Sequence, residues 1–334
     1  MILVTGGTGL VGSHLLYELA LSGKRIRALK RANSNTQNTY KIFTYYSDKA
    51  DELFSNIEWV DGDLLDIYSL YEAMEGIKTI YHCAAIVSFD AVDKNNIIKT
   101  NVIGTTNIVN AALDKNIEKL CYVSSIAAIG KSVNEGIITE NNFWKYSKSH
   151  SVYAISKYDA EREVWRGVAE GLDAVIVNPS IILGPSNWNT GSSRLFKSVW
   201  DGLKFYTKGI NGYVDVRDVA KVMILLMYSN IKNERFIVSA ENLEYQKLFS
   251  LIAEGLNKTP PKYKASKFLS EIVWRADSIK SKLLNSKPLI TKETARTANA
   301  KSYYSNQKLI AAINYQFVPI SKTVNDISKL FLKH

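Results

Sequence analysis

The chain has 334 residues, of which 46% are hydrophobic and 22% charged, so its composition is typical of a folded globular protein and excludes a largely disordered one. Two cysteines exclude a disulfide scaffold, and no apolar run approaches the roughly 20 residues of a membrane-spanning helix. The net charge of +10 is concentrated in residues 255–334, with 15 Lys and Arg against 4 Asp and Glu, so no nucleic-acid surface across the whole chain is expected.

Other simple sites are also disfavoured. Four scattered histidines and two cysteines offer no closely spaced ligand set, so no metal site is expected. The opening residues, MILVTGG, place no basic segment before an apolar run, so we expect no secretory signal and a cytoplasmic location.

Short apolar runs alternate with helical patterns along the first half of the chain. Strands are predicted at Ile2–Val4, Ile26–Leu29, Ile57–Val60, Thr79–Cys83, Leu120–Ser124 and Ala174–Asn178. Helical patterns lie at about 13–21, 67–75, 95–114 and 151–170, and the long connection 32–56 is expected to hold a helix. This alternation predicts an α/β fold with a doubly wound parallel sheet, whose ligand crevice lies at the carboxyl ends of its strands.

The strand–helix rhythm weakens after residue 180. Val214–Asp218 and Arg235–Val238 are predicted as short strands, and the tail from about 241 is mostly helical. We expect a first domain over 1–180, to which 213–240 returns, and a smaller C-terminal domain over 181–212 and 241–334. Residues 268–285 form an amphipathic pattern, for which packing on the second domain is favoured over a membrane-surface or lid helix.

A glycine-rich turn, TGGTGLVG, follows the first predicted strand at residues 5–12. Glycines three residues apart allow a tight turn, close approach of backbone to a pyrophosphate and close packing of the next helix. The N-terminus of that helix offers free N–H groups to phosphates. The pattern therefore predicts a dinucleotide site formed by Thr5, Gly6, Thr8, Gly9, Leu10, Val11 and Gly12.

The end of the second strand indicates which dinucleotide is bound. Residues 27–34, RALKRANS, contain no acid that could hold a ribose 2′-hydroxyl. Lys30 and Arg31 stand there instead, and a guanidinium binds phosphate through a bidentate fork. We therefore predict NADP(H), with NAD(H) as the alternative if Arg31 is only an exposed loop residue.

A tyrosine and a lysine are placed for acid–base chemistry. Tyr153 and Lys157 are four residues apart in a predicted helix and therefore share one face. A nearby ammonium stabilises the phenolate, which brings a tyrosine closer to use at neutral pH. Ser124 and Ser125 end a predicted buried strand and supply a hydroxyl at the carboxyl edge of the sheet.

With these motifs in order, the chain resembles the extended branch of the short-chain dehydrogenase/reductase superfamily, the NAD-dependent epimerases and dehydratases, over at least residues 1–240. The matching segments are TGGTGLVG at 5–12, DL at 63–64, HCAA at 82–85, NVxGTxN at 101–107, VSS at 123–125, Tyr153 to Lys157 followed by Ala160-Glu161, NPS at 178–180 and GYVDVRDVA at 212–220. The resemblance implies a Rossmann-type NAD(P)-binding domain followed by a smaller substrate-binding domain.

The resemblance also implies roles for the matching residues. Tyr153 would exchange a proton with the substrate oxygen, and Lys157 would bind the nicotinamide ribose and tune Tyr153. Ser125, rather than Ser124, would hydrogen-bond the substrate oxygen, and Asn101 would support a proton relay. The cofactor would further contact Lys30, Asp63, Leu64, Ala84, Ala85, Val123, Pro179 and Ser180.

Two absences distinguish among branch members. Dehydratases usually carry an Asp-Glu pair after the catalytic hydroxyl residue, whereas IAAI follows Ser125 here. Sugar-nucleotide epimerases usually carry an arginine just before the segment that matches 213–218, whereas this chain has GING at 209–212. An NAD-dependent nucleotide-sugar epimerase remains an alternative because Arg194 or Arg217 could replace that arginine. A cofactor-binding regulator without turnover is a second alternative, which the complete Ser125, Tyr153 and Lys157 set disfavours.

The expected substrate wall is largely apolar, which suits an apolar or aromatic carbonyl compound. It comprises Ile86, Val87, Phe89, Ser125, Ile126, Ile129, Ile181, Ile182, Arg194, Leu195 and Phe196. The Arg-x-x-Lys-Arg pattern at 27–31 and GYVDVRDV at 212–219 most resemble the dihydroflavonol-reductase-like group. This resemblance implies NADPH-dependent reduction of a small-molecule ketone or aldehyde, or oxidation of the matching alcohol. The family usually dimerises through the helices at 95–114 and 151–170, so a homodimer is expected.

Overall fold

Seven parallel strands form the main sheet in the computed structural model, which describes residues 1–130, 136–147, 150–266, 274–275 and 291–333. The strands of the described chain are β1 (Ile2–Thr5), β2 (Ile26–Lys30), β3 (Ile57–Asp61), β4 (Thr79–His82), β5 (Lys119–Val123), β6 (Ala174–Pro179), β7 (Ile181–Leu183), β8 (Phe205–Tyr206), β9 (Ile210–Asp215), β10 (Glu234–Val238), β11 (Glu241–Glu244) and β12 (Tyr263–Lys264).

The order of the main sheet is β3-β2-β1-β4-β5-β6-β10, and every neighbouring pair is parallel. This confirms the predicted doubly wound sheet, in which the strand order reverses between β1 and β4. The crevice outside that point is where such sheets bind ligands.

Helices cover both faces of the sheet. They are α1 (Leu10–Leu21), α2 (Gln37–Tyr46), α3 (Ala50–Ser55), α4 (Ile67–Ala73), α5 (Lys94–Ile98), α6 (Gly104–Asp114), α7 (Val152–Ala169), α8 (Arg194–Trp200), α9 (Val216–Tyr228), α10 (Tyr245–Gly255), α11 (Lys292–Thr297), α12 (Gln307–Ile313) and α13 (Ile320–Lys333). None in the described part of the chain is long and apolar enough to cross a bilayer.

The apolar runs form strands because both sides of each strand are covered. Leu3 packs in the core shared with α4, α6 and α7, whereas its neighbour Val4 packs in the core shared with α1, α2 and α9. Both side chains are fully buried. Parallel strands with two buried faces show continuous apolar runs, which is why the sequence pattern located them.

A second sheet has three strands, in the order β11-β9-β7. β9 pairs in parallel with β7 and antiparallel with β11. Its core contains Phe196, Leu248, Ile252 and Val324 from α8, α10 and α13. β8 and β12 form a separate short parallel pair.

Four sequence predictions are corrected, refined or limited. The strand predicted at Val214–Asp218 ends at Asp215, whose carboxylate accepts a hydrogen bond from the Arg217 N–H at 2.8 Å and caps α9. The helix predicted at 95–114 is interrupted by a π-helix at Lys99–Ile103, and the 32–56 connection holds two helices rather than one. The amphipathic pattern at 268–285 lies outside the described residues, apart from 274–275.

Candidate active site

The turn after β1 is shaped so that side chains are excluded from two of its positions. Gly6 has φ +71°, and a Cβ there would lie 2.6 Å from the Ala84 nitrogen. A Cβ on Gly12 would lie 2.1 Å from the carbonyl oxygen of Gly6. These close approaches fold the turn against the loop that follows β4 and bring α1 directly onto the turn.

The N-terminus of α1 opens at the switch point. Its N-cap is Gly9, which has no side chain to accept from the N–H groups of Leu10, Val11 and Gly12. The Gly9 N–H itself donates to the Gly6 carbonyl at 2.9 Å, which fixes the turn. Thr5 is buried at the end of β1, and Thr8 is half-buried. The cradle therefore fits the pyrophosphate of a dinucleotide.

The two basic residues at the end of β2, Lys30 and Arg31, have different environments. Lys30 forms an ion pair with Asp61, its register partner on β3. Arg31 follows the strand end and is exposed. Of the two side chains, Arg31 is thus the better placed to meet a phosphate at this strand end.

A turn between β3 and α4 holds Asp63 and Leu64, two of the residues expected to contact the cofactor. Asp63 Oδ1 accepts from the Leu65 N–H at 2.9 Å. The Leu64 carbonyl accepts from Asn107 Nδ2 at 2.8 Å, and a Cβ on Gly104 would lie 2.9 Å from the Leu64 Cβ. The matching residues at 104 and 107 therefore position this turn.

Beyond β4, a buried chain of hydrogen bonds supports the loop that holds Ala84 and Ala85. The Thr5 hydroxyl lies 2.7 Å from His82 Nδ1, and His82 Nε2 lies 3.0 Å from the Thr105 hydroxyl. Burial lowers the pKa of His82 to about 3, so its ring is neutral and structural. Ala84 N donates to the Thr5 hydroxyl at 3.3 Å, which ties this loop to the end of β1.

Asn101 lies in the π-helix and is 1% exposed. Its Nδ2 donates to the Ile86 carbonyl and to the Ser156 hydroxyl, each at 3.0 Å, and its Oδ1 accepts from the Ile86 N–H at 2.7 Å. The amide thus connects the loop after β4 to α7. Its part in a proton relay stays a prediction.

Lys157 is buried against the strand that leads to the two serines. It is 2% exposed, and its Nζ donates to the Val123 carbonyl at 2.7 Å and to the Tyr122 hydroxyl at 3.2 Å. An ammonium has three N–H donors, so one is left for a ribose hydroxyl. Burial lowers the pKa of Lys157 from 10.5 to about 8, and the nearby Glu161 carboxylate opposes that change.

Tyr153 lies one helical turn before Lys157, at the start of α7. Its ring packs edge-on against Phe89, with 5.5 Å between ring centroids. Phe89 is itself 40% exposed, so this aromatic pair is partly open to solvent.

The two serines after β5 have different environments. Ser124 is 4% exposed, and its hydroxyl donates to Glu161 Oε2 at 2.6 Å. Ser125 is less buried, and its hydroxyl oxygen accepts from the Ala127 N–H at 3.1 Å. That bond leaves the hydroxyl hydrogen of Ser125 to be donated to a substrate oxygen.

The residues at the end of β6, Pro179 and Ser180, lie beside β10. Pro179 ends the strand, and the Ser180 N–H donates to the Val238 carbonyl at 3.0 Å. Ser180 is thereby tied to β10, the added edge strand of the main sheet.

The expected substrate wall separates into surface and core. Val87 is 63% exposed, whereas Ile129 and Phe196 are buried in two different core clusters. The half-buried members are Ile86, Ile126, Ile181, Ile182, Arg194 and Leu195.

Arg217, one of the two arginines named as a possible diphosphate clamp, is paired with two carboxylates. It forms ion pairs with Asp215 at 2.6 Å and with Asp326 at 3.0 Å. Burial opposes the charge of Arg217, but these two carboxylates keep its pKa above the usual value. The guanidinium joins the start of α9 to α13.

A buried network around Glu161 was not predicted. Glu161 belongs to the quoted motif, but its partners Ser124, Asn178 and Arg235 come from three separate segments. The signal that could have located it is its position, one helical turn after Lys157.

Comparison with known proteins relates the chain to a family of NAD-dependent enzymes. The model of the NAD dependent epimerase/dehydratase family matches residues 2–239. The chain is 29% identical to a putative dihydroflavonol 4-reductase of Synechocystis sp. over 343 aligned positions, which cover 99% of this chain and 94% of that protein. It is 28% identical to cinnamoyl-CoA reductase 1 of Petunia hybrida over 275 positions, covering 79% and 78%. The UDP-glucose 4-epimerase of Thermotoga maritima, solved with UDP-glucose, superposes with a TM-score of 0.77, 20% identity and 99% and 98% coverage, which shows the fold.

Proposed function

The chain belongs to the NAD-dependent epimerase/dehydratase family, and we propose that this NAD(P)-dependent enzyme is an NADP(H)-dependent reductase of a ketone or aldehyde, or oxidises the matching secondary alcohol. The observation that carries the proposal is the placement of Lys157. Its buried ammonium donates to the last residue of β5, Val123, two residues before Ser125, and lies on the helix face that also carries Tyr153. This placement supports a site in which Tyr153 is the proton donor, Lys157 the charge and Ser125 the hydroxyl.

Ser125, Tyr153 and Lys157 have separate roles in the proposed reduction. The nicotinamide, when bound, supplies the hydride to the carbonyl carbon. Ser125 donates a hydrogen bond to the carbonyl oxygen, and Tyr153 gives that oxygen its proton. Lys157 lowers the free energy of the resulting phenolate because its positive charge is buried nearby. The Lys157 N–H that is not bonded to β5 orients the ribose.

The preference for NADP(H) rests on the strand end after β2. Arg31 is exposed there, and Lys30 beside it is neutralised by Asp61. A guanidinium fork matches a 2′-phosphate in geometry as well as charge.

The surroundings of Arg217 favour a reductase over a sugar-nucleotide epimerase. An epimerase needs a clamp for a diphosphate, and Arg217 is committed to Asp215 and Asp326. Arg194 remains the other candidate for a clamp. The reductases named above are also more similar in sequence than the epimerase, at 28–29% against 20% identity.

Two measurements test the function. The purified protein is denatured and any released nicotinamide is identified; a reductase exchanges its cofactor each cycle, so little should be retained, and any trace should be NADP(H). NADPH oxidation is then followed with a panel of apolar aldehydes and ketones, with Tyr153→Phe as the control. We expect turnover by the native protein and a loss of about 100-fold or more in the variant, typical of a missing general acid. Tightly held NAD at one per chain would instead support the epimerase, and unchanged turnover by Tyr153→Phe would overturn the site.

A further inference from the structure

Glu161 is a buried carboxylate to which the proposed mechanism gives no role. It is 2% exposed and lies one turn after Lys157 on α7. Its Oε2 accepts from Ser124 Oγ at 2.6 Å and from Asn178 Nδ2 at 2.8 Å. Its Oε1 accepts from the Arg235 guanidinium at 2.9 Å and from Trp165 Nε1 at 3.4 Å. A carboxylate taken out of water is costly unless it is paired and hydrogen-bonded, and here it is both.

The partners of Glu161 also hold the strand end that carries Ser125. Ser124 is the residue before Ser125, and Asn178 Nδ2 donates to the Ser125 carbonyl at 3.0 Å as well as to Glu161. Glu161 therefore accepts hydrogen bonds from the residue before Ser125 and from the amide that holds the Ser125 carbonyl. A displacement of its carboxylate would be transmitted to the serine hydroxyl.

The charge of Glu161 matters because Lys157 is deprived of water. Among the described residues, the titratable and charged groups that face Lys157 are Tyr122 on β5, His82 and Cys83 at the end of β4, and Glu161 on α7, where Tyr153 lies one turn before Lys157. Burial lowers the pKa of His82 to about 3 and raises that of Cys83 to about 12, so both are neutral near pH 7. Glu161 is the anion among these groups. Its field favours the protonated form of Lys157.

Arg235 moderates that field. It lies on β10, and it binds Glu161 with one arm of its guanidinium and the Glu140 carbonyl with the rest. A cation this close to Glu161 cancels part of the negative potential that reaches α7. The Glu161–Arg235 pair thus places a partly neutralised negative charge one helical turn from Lys157.

We propose that Glu161, held by Arg235, is a positioning residue that keeps Lys157 protonated and fixes the Ser124–Ser125 strand end. The inference rests on the proposed function, because it acts through Lys157 and Tyr153. A negative charge raises the proton affinity of both groups, whereas a positive charge lowers it. Removing the charge of Glu161 and removing the charge of Arg235 should therefore shift the pKa values of Lys157 and Tyr153 in opposite directions.

The first test is the pH profile of kcat/KM for NADPH-dependent carbonyl reduction. Glu161→Gln keeps the volume and removes the charge, so the alkaline limb should move down by about one pH unit. Arg235→Met leaves the carboxylate held by Ser124 and Asn178 but not neutralised, so the limb should move up. Ser124→Ala removes one hydrogen bond and keeps both charges, so its limb should stay in place even if kcat falls. Shifts of the same sign in the two charge variants, or no shift in either, would overturn the proposal.

The second test needs no turnover. Tyrosinate absorbance is titrated in the native protein and in Tyr153→Phe, and the difference isolates Tyr153. The same difference in the Glu161→Gln background should titrate at lower pH, and in the Arg235→Met background at higher pH. If these shifts occur and no carbonyl is reduced, the proposed function fails while the role of Glu161 stands. If reduction occurs and the titration of Tyr153 is the same in all backgrounds, the role of Glu161 fails alone.

Discussion

At the scale of single residues, the cost of burying Lys157 should be measurable as a pH-dependent stability. Its pKa falls from 10.5 to about 8 on folding, chiefly because it loses water. Between these values the unfolded chain holds more protons than the folded protein, so the free energy of unfolding rises with pH. Below about pH 8 the full cost, about 3 kcal/mol, is present.

Lys157→Met should abolish that dependence. Urea unfolding of both proteins should give a stability difference that changes in favour of the native protein by about 2–3 kcal/mol between pH 8 and 10.5. Tyrosines common to both proteins cancel in the difference. Parallel curves across this window would show that Lys157 keeps an ordinary pKa in the folded protein.

Arg31 can be tested against its neighbour. Arg31→Ala should raise the KM for NADPH by about 10- to 100-fold, the value of a hydrogen bond to a charged group, and leave the KM for NADH unchanged. Lys30→Ala is the matched control, because Lys30 is paired with Asp61 and should contribute less. Equal effects of Arg31→Ala on both cofactors would remove the basis for preferring NADP(H).

At the scale of elements, two glycines in the turn from β1 into α1 should affect different properties, Gly9 cofactor binding and Gly12 stability. Gly9 has φ −90°, and a Cβ there would lie 3.3 Å from one atom, the Gly6 oxygen. Gly9→Ala should therefore fold normally but bind NADPH poorly, since its methyl group occupies the space a phosphate needs. Gly12→Ala should destabilise the protein by about 1–3 kcal/mol, since its Cβ would be 2.1 Å from the same oxygen. Thermal unfolding and fluorescence titration with NADPH measure the two effects, and tight binding by Gly9→Ala would contradict the phosphate cradle.

The strands of the main sheet could be predicted from sequence more accurately than its irregular features. Buried parallel strands produce solid apolar runs whatever their neighbours are. The π-helix at Lys99–Ile103 has no such local mark, and Asn101 within it is bonded to Ile86 and to α7, which are distant in sequence. Asp215 both ends a strand and caps a helix, whereas the alternating pattern of residues 214–218 predicts one continuous strand.

The candidate site shows the same division. The glycine turn and the Tyr153–Lys157 pair depend on local spacing, which a sequence displays. The network of Glu161 depends on Ser124, Asn178 and Arg235, whose meeting is decided by the order of strands β5, β6 and β10. That order follows from tertiary packing, so the partners could not be assigned beforehand.

At the scale of the whole molecule, segment 210–244 connects the two sheets. β9 and β11 belong to the small sheet, whereas β10 between them is the edge strand of the main sheet. α9 packs in the main core, and its first turn is bound to α13 through Arg217 and Asp326. The buried Thr323 hydroxyl on α13 also donates to Asp215 at 2.9 Å. Two units that share so many crossings should not unfold separately.

We therefore expect one cooperative unfolding transition, seen as coincident curves by circular dichroism and by tryptophan fluorescence. NADPH, bound at the main sheet, should stabilise that single transition by about 2.7 kcal/mol at a concentration 100 times its Kd. Arg217→Met should lower the stability of the whole protein rather than of the C-terminal part alone, because it leaves the nearly buried Asp215 without its cation. Two separated transitions, of which NADPH moves one, would show that the shared segment does not couple the sheets and that the small sheet folds independently.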